Sequence, residues 1–269
     1  MPPVKTSTPD SSPRTLAAVL ASDPRFPRQR MASGTTLLPH SLEHGVLVVL
    51  DGALAVEVSR DGADAQILEV IGPGSGMLSG RQLATARRAT FLCALVPTTV
   101  VILSEREFGR VLESDVLLAC SLANQLCERA AEMQERLSAR NAQDAHLRMG
   151  HCLLYLHDKL GLACPVGPGT RIPISQASIA AVAGLARQTA NRVLRDLQTL
   201  GVIHLEREAV CVLCRSGLEH LASGGPLPHA WRAAGNCQFV HPGTSLACRS
   251  LRPVPLARVS PKLRRFVDR

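Results

Sequence analysis

Residues 174–197 contain two short helix-like stretches joined at a glycine, and this arrangement constrains the chain more than any other feature. The first stretch starts near Ser175 and ends at Gly184, and the second continues to Gly201. Glycine is typical of the position just after a helix, so both stretches have a defined end. At about 100° per residue, the apolar residues of the second stretch fall on one stripe and its polar residues on the opposite arc. The pattern predicts a helix-turn-helix whose second helix has a buried back and a polar front.

The polar front of the second helix carries arginine, glutamine and asparagine, the side chains that bond base edges in the major groove. Arginine pairs with guanine O6 and N7, and glutamine or asparagine pairs with adenine N6 and N7. A solvated helix face is the alternative interpretation, but the preceding helix and the two glycines favour DNA recognition. The residues predicted to contact DNA are Arg187, Gln188, Thr189, Asn191, Arg192 and Arg195, together with Ser175 and Gln176 at the start of the first helix.

Charge is distributed unevenly along the 269 residues, which suffice for two ordinary domains. Residues 1–140 have a net charge of −1 and residues 141–269 a net charge of +9, so the half that holds the helix-turn-helix is the basic half. This asymmetry is typical of one domain that neutralises phosphates and another with a different task. No apolar run approaches the roughly 18 residues of a membrane helix, and no secretory signal pattern is present. We expect a cytoplasmic protein without a membrane partner.

The first half of the chain has the sequence pattern of an antiparallel β domain. Short β-like runs between residues 35 and 71 are joined by turns at Asp51-Gly52 and Asp61-Gly62, and a further run covers 98–103. Ser104 and Glu107 have the spacing of a capping box for the helix that follows. The sequence therefore predicts a β-sandwich or β-roll.

A long helix is predicted from Val116 to Arg140, because this stretch contains neither glycine nor proline. Its apolar residues recur at steps of three and four, a heptad pattern typical of a helix that pairs with a second copy of itself. Packing on its own β domain is the alternative. The predicted dimer seam consists of Val116, Ala119, Ala123, Leu126, Ala130, Met133 and Leu137.

The complete prediction is an α+β protein: an antiparallel β-roll, a long dimerisation helix and a winged helix-turn-helix. The wing is a hairpin of residues 202–205 and 210–213 that follows the second helix. The predicted divisions are a flexible arm at 1–30, the β-roll at 31–112, the dimerisation helix at 113–141, the DNA-binding domain at 145–222, and a basic, irregular tail at 223–269.

This order of parts resembles the Crp/Fnr family of bacterial transcription regulators across about residues 34–222. Residues 186–194, Ala-Arg-Gln-Thr-Ala-Asn-Arg-Val-Leu, are similar to the family's recognition helix, S-R-[EQ]-T-[VAL]-[NS]-R-x-L. By that resemblance Arg187, Gln188 and Arg192 take the base-contacting positions. Residues 71–74, 77–81 and 84–86 are similar to the family's L-G-P-G, L-L-S-G-R and A-T-A landmarks, which implies a jelly roll like those that bind cyclic nucleotides.

The resemblance implies an effector pocket in the roll, near Gly76, Met77, Arg81 and Thr85. Members that bind cyclic nucleotides hold the ribose with a Gly-Glu pair and the cyclic phosphate with an Arg followed by Ser or Thr. Here Met77 follows Gly76, and Gln82-Leu83 stands in the Arg-Ser place. Methionine is a poor acceptor for ribose hydroxyls and leucine cannot pair with a phosphate. We therefore expect a signal other than cyclic AMP or cyclic GMP.

The nine cysteines raise metal and redox alternatives. Cys211 and Cys214 form a C-x2-C that a zinc site could share with Cys237, His241 and Cys248, but positions 211 and 214 of a strand point to opposite faces. No cysteine precedes Cys93, so the N-terminal iron-sulfur ligands of some family members are missing. We expect no zinc, haem or iron-sulfur cofactor, and reduced thiols.

The expected function is sequence-specific binding to a double-stranded DNA operator with two half-sites, as a homodimer, with RNA polymerase as a further partner. No nucleophile elbow, phosphate-binding loop or zinc-hydrolase motif is present, so the sequence does not predict an enzyme. Two alternatives stay open: an effector-independent architectural DNA-binding protein, and a cysteine-based redox or metal sensor of the same architecture.

Overall fold

The computed structural model describes residues 15–37, 45–58, 65–73, 77–79, 90–164 and 169–224, with only the backbone at 77–79. The predicted effector residues Gly76, Arg81 and Thr85 lie outside these ranges, as does the side chain of Met77. Most of the predicted tail, from residue 225 onward, is also outside them.

Two antiparallel sheets, each of four strands within the described residues, form the N-terminal roll. The strands are β1 (Arg28–Met31), β2 (Thr36–Leu37), β3 (Gly45–Asp51), β4 (Leu54–Val58), β5 (Gln66–Ile71), β6 (Met77–Ser79), β7 (Thr90–Ala94) and β8 (Thr98–Ser104). One sheet has the order β1-β8-β3-β6 and the other β2-β7-β4-β5. Apolar side chains from both sheets, among them Leu47, Leu54 and Leu92, form the core between them.

The chain turns sharply between β3 and β4 at Gly52, as its sequence predicts. This glycine has a φ of 81°, which a residue with a side chain rarely adopts. The Thr98 hydroxyl stabilises the turn by accepting from the backbone N–H of Ala53 at 3.0 Å and donating to the carbonyl of the same residue at 3.1 Å.

Helix α1 (Leu16–Ser22) and strand β1 lie largely in the segment expected to be a flexible arm, and residues 15–31 are instead packed on the roll. The helix buries Leu16 and Leu20 against β3 and β8, and β1 pairs with β8. The sequence does not predict β1, whose residues Arg28, Gln29 and Arg30 are polar and exposed. An edge strand needs few apolar residues, which explains why its pattern is weak.

Helices α2 (Glu105–Ser114) and α3 (Val116–Arg140) follow the roll. The capping box predicted for α2 is present, because the Ser104 hydroxyl accepts from the N–H of Glu107 and the Glu107 carboxylate accepts from the N–H of Ser104. Asp115 caps α3, which has the predicted bounds.

The C-terminal domain consists of four helices and a small antiparallel sheet within the described residues. The helices are α4 (Ala145–Leu160), α5 (Gln176–Ala183), α6 (Arg187–Thr199) and α7 (Arg215–Ala222). The strands are β9 (Leu162–Ala163), β10 (Thr170–Ile172), β11 (Ile203–Leu205) and β12 (Val210–Val212), in the order β11-β12-β10-β9. This is the predicted winged helix-turn-helix, with β11 and β12 as the wing. Among the described residues, no helix is long and apolar enough to span a membrane.

Candidate nucleic-acid interface

Helix α6 has the two faces that its sequence predicts. Ala190, Val193, Leu194 and Leu197 are buried in the core of the C-terminal domain. The predicted DNA-contact residues lie on the other face of this helix. Among them, Arg187, Gln188, Arg192 and Arg195 are exposed, and Thr189 and Asn191 are half-buried. No ion pair joins the exposed arginines to other described residues, so their guanidinium groups can meet an anionic ligand.

A buried polar contact holds α6 on the helix behind it. His146 Nε2 of α4 lies 3.1 Å from Asp196 Oδ2 of α6, and both side chains are almost fully buried. The contact sets the rotation of α6 about its own axis, since Asp196 is on the same helix as the exposed arginines.

The turn between α5 and α6 depends on Gly184, which has a φ of 61° and ends α5 in the left-handed conformation. The Arg148 side chain donates to the carbonyl oxygens of Ala183, at 2.9 Å, and Gly184. A cation at the C-terminus of α5 satisfies carbonyl groups that the helix leaves open and complements its dipole.

At the other end of α5, Ser175 is the N-cap and its hydroxyl accepts from the N–H of Ser178 at 3.1 Å. Gln176 is the first residue of the helix, and both predicted contact residues here are half-buried. The N-terminus of this helix is a suitable position for a phosphate oxygen.

The wing adds a basic side chain that the predicted contact set left out. The backbone N–H of Glu206 donates to Ala209 at 2.9 Å, which closes the hairpin and leaves Arg207 exposed at its tip. The sequence signal was available, because Arg207 lies at the predicted wing turn. The Gln198 side chain of α6 accepts from the N–H of Leu205 at 2.8 Å, so the wing is attached directly to the helix.

Strand β5 of the roll is the joint between the two domains. The hydroxyl of Tyr155 in α4 accepts from the N–H of Val70 and donates to its carbonyl, each at 3.0 Å. Burial raises the pKa of Tyr155 to about 12, which keeps this hydroxyl protonated. Sequence analysis missed the contact, although Tyr155 is the single tyrosine in the chain.

Helix α3 contacts the same strand through charge. Arg129 bonds both carboxylate oxygens of Glu69 in β5, at 2.5 and 2.6 Å, and both side chains are largely buried. Arg136 of α3 lies over the ring of Tyr155, with 4.1 Å from its guanidinium carbon to the ring centre. The roll, the long helix and the DNA-binding domain therefore meet at β5.

Another flank of α3 is apolar and is largely uncovered by the described residues. Within this helix only Leu118 and Leu122 are buried, and neither belongs to the predicted seam. Of the predicted seam residues, Ala119 is half-buried and the other six are exposed: Val116, Ala123, Leu126, Ala130, Met133 and Leu137. Within the part of the chain that the structure describes, the β domain therefore leaves most of the seam uncovered.

Comparisons with known proteins agree with this architecture. Residues 147–221 match the family described as the Crp-like helix-turn-helix domain. The cyclic AMP receptor protein of Thermus thermophilus is 26% identical over 183 residues, which cover 68% of this chain and 82% of that protein.

Solved structures extend the likeness beyond the C-terminal domain. A CRP/FNR-family transcriptional regulator of Thermus thermophilus superposes with a TM-score of 0.59 at 22% identity, over 73% of this chain and 98% of its own. A CooA mutant from Carboxydothermus hydrogenoformans gives a TM-score of 0.61 at 18% identity, over 78% and 97%. The predicted fold, a β-roll followed by a long helix and a winged helix-turn-helix, is confirmed.

Proposed function

We propose that this chain, a CRP/FNR-type DNA-binding transcription regulator, acts as a cytoplasmic homodimer that reads an operator with two half-sites. Each subunit inserts α6 into one of two major grooves about 34 Å apart on the same side of the duplex. The observation that carries the proposal is the exposed arc of α6, where Arg187, Gln188 and Arg192 are free to reach base edges while the opposite side of the helix is buried.

The roles of individual residues follow from their position on this arc. Arg187, Gln188 and Arg192 are proposed to bond base edges, since they match the base-reading positions of the recognition helix that the sequence resembles. Arg195, further along α6, and Arg207, at the wing tip, are proposed to contact phosphates. Backbone N–H groups at the start of α5 supply a further phosphate contact.

The half-buried residues have supporting roles in this proposal. Thr189 and Asn191 lie at the edge of the exposed arc of α6, where their short polar side chains bond bases or phosphates after a small approach of the duplex. Ser175 caps α5, and Gln176 extends the phosphate contact at its N-terminus.

Dimerisation through α3 is supported by the exposure of its apolar flank. Leu137 is 63% exposed and Val116 is 71% exposed, at opposite ends of a helix of 25 residues. A rise of about 1.5 Å per residue gives the helix a length of about 37 Å. Two such helices aligned side by side bury these side chains, and the alanines at 119, 123 and 130 permit close approach of the two backbones.

The roll is proposed to sense a signal other than cyclic AMP, although one relative is named a cyclic AMP receptor protein. The support is chemical: Met77 and Gln82-Leu83 replace the groups that would bond the ribose and the cyclic phosphate. Any change in the roll that shifts β5 reaches Tyr155 and Arg129 directly, so β5 is the proposed route from the roll to the DNA-binding domain. RNA polymerase is a further proposed partner.

Substitution of Arg187 tests base reading by α6. An operator is first selected from random duplex DNA with the wild-type protein, and mobility-shift titrations then compare it with random DNA. Arg187→Ala is expected to weaken operator binding by about 1–3 kcal/mol and to leave random-DNA binding nearly unchanged. Arg106→Ala, which removes an exposed arginine of α2, is the matched control for charge and should change neither affinity. Equal losses on both DNAs for Arg187→Ala would contradict the assignment.

A further inference from the structure

Two thiols and a carboxylate converge on one face of the wing sheet. Cys164 Sγ lies 3.3 Å from Cys211 Sγ, and the Cys211 thiol donates to Glu206 Oε1 at 3.2 Å. All three potential ligand atoms lie within 4.8 Å of one another. Cys211 is buried and the other two residues are half-buried, so the cluster has one inner and two solvent-facing members.

Backbone pairing holds the cluster together. Arg171 of β10 and His204 of β11 both lie directly opposite Cys211 of β12, so these three side chains share one face of the sheet. The N–H of Cys164, just after β9, donates to the carbonyl of Gly169, just before β10, at 3.1 Å. The three potential ligands therefore come from three separate segments whose relative positions the sheet determines.

Arg171 orients the carboxylate of Glu206. Its Nε donates to Oε2 at 3.0 Å, and the other oxygen, Oε1, faces the Cys211 thiol. A ligand with one oxygen held by a neighbouring side chain and the other aimed at the site is the usual arrangement around protein-bound metals.

The distances between the sulfur and oxygen atoms fit a metal ion better than a disulfide. A tetrahedral zinc ion, with Zn–S bonds of about 2.3 Å, separates two sulfur ligands by about 3.8 Å and a sulfur from an oxygen by about 3.5 Å. The observed separations differ from these by about 0.5 Å or less, whereas a disulfide requires the sulfur atoms to approach to about 2.0 Å. We propose that Cys164, Cys211 and Glu206 bind a thiophilic divalent cation such as zinc.

Charge supports the same assignment. On binding, each thiol releases its proton to solvent and becomes a thiolate ligand. Two thiolates and one carboxylate then balance a divalent cation together with the charge of Arg171.

The proposed site differs from the zinc ligands that the sequence pattern suggested. That pattern joined Cys211 to Cys214, but Cys214 Sγ instead lies 3.5 Å from Ser216 Oγ. Cys237, His241 and Cys248 are outside the described residues. An ion at the proposed site would join the end of β9 to both strands of the wing.

Metal titration of the full-length, reduced and chelator-treated protein tests the proposal, with Co²⁺ as a spectroscopic substitute for Zn²⁺. The wild-type chain should bind one ion at this site, with the absorption of thiolate-to-cobalt charge transfer, and Zn²⁺ should displace it. Cys164→Ser and Cys211→Ser should each abolish the wild-type band. Glu206→Gln keeps both thiols and should weaken binding at least about tenfold.

Matched variants exclude other sites on the chain. Cys120→Ser and Cys214→Ser each remove a thiol outside the cluster, and Cys237→Ser removes a member of the alternative ligand set; all three should leave the wild-type band unchanged. Circular dichroism checks whether Cys211→Ser is folded. If that variant does not fold, Cys164→Ser, whose side chain is solvent-facing, provides the test. Absence of a bound ion in the wild type, a band that survives both cluster variants, or a disulfide between Cys164 and Cys211 that forms in the presence of metal would overturn the proposal.

Discussion

Replacement of Leu126 by glutamate should greatly weaken the proposed dimer. Leu126 lies in the middle of α3 and is 41% exposed in the single chain, so about two fifths of its surface remains for a partner to cover. Full burial of a leucine contributes about 1.5–3 kcal/mol, so loss of this part removes about 0.6–1.2 kcal/mol per subunit. Over two subunits the lost burial amounts to about 1–2.5 kcal/mol.

Charge adds a larger penalty to the same substitution. Two carboxylates that face each other in a seam without water cost several kcal/mol more, because neither has a counter-ion there. The total exceeds about 4 kcal/mol, which corresponds to an increase of about a thousandfold in the dissociation constant of the dimer. Helix α3 itself should persist, since its contacts with β5 through Arg129 are on another flank.

Sedimentation equilibrium over a range of protein concentrations measures this change. Asn124→Glu is the matched control, because position 124 is exposed on the same helix but lies outside the apolar flank. The variant Leu126→Glu should be a folded monomer by circular dichroism, and the control should dimerise as the wild type does. A dimer that survives Leu126→Glu, or one that both variants weaken equally, would refute the assignment of the seam.

Three further predictions concern the contacts at β5 and the response to cyclic nucleotides. Tyr155→Phe removes the hydroxyl that bonds both backbone groups of Val70. The free energy of unfolding, measured by thermal denaturation, should therefore fall by about 1–3 kcal/mol. An unchanged melting temperature would contradict the role of this contact. Arg129→Met leaves the buried Glu69 carboxylate without the guanidinium that it bonds, and should lower the free energy of unfolding in urea by about 3–5 kcal/mol. A decrease below about 1 kcal/mol would mean that water replaces the guanidinium. Cyclic AMP and cyclic GMP should leave operator affinity unchanged in mobility shifts; saturable calorimetric binding of either, lost in Arg81→Ala, would contradict this prediction.

The helices could be predicted from the sequence because each carries local signals. Helix α3 has no glycine or proline between Asp115, its cap, and Arg140, its last residue, and its predicted bounds are confirmed. The turn at Gly184 was predictable for a similar reason, since a left-handed residue after a helix favours glycine. In these cases residues near in sequence determine the structure.

The contacts between distant segments could not be predicted in this way. Tyr155 and Val70 are 85 residues apart, and nothing in the local pattern of either strand or helix indicates that they meet. Cys164 and Cys211 are 47 residues apart, so a search for closely spaced cysteines selected Cys214 instead. Sequence analysis also missed strand β7, Thr90–Ala94, although Pro97 separates it from β8.

Selection of binding sites from random duplex DNA tests the central claim most directly, because the protein itself then chooses the operator sequence. The purified full-length protein is incubated with the duplex pool, bound DNA is recovered, and the enriched sequences are read after several rounds. A homodimer that inserts two copies of α6 predicts an inverted repeat whose half-site centres are about 10–10.5 base pairs apart, or a multiple of that. Enrichment of a single half-site without symmetry, or of no sequence at all, would contradict the account.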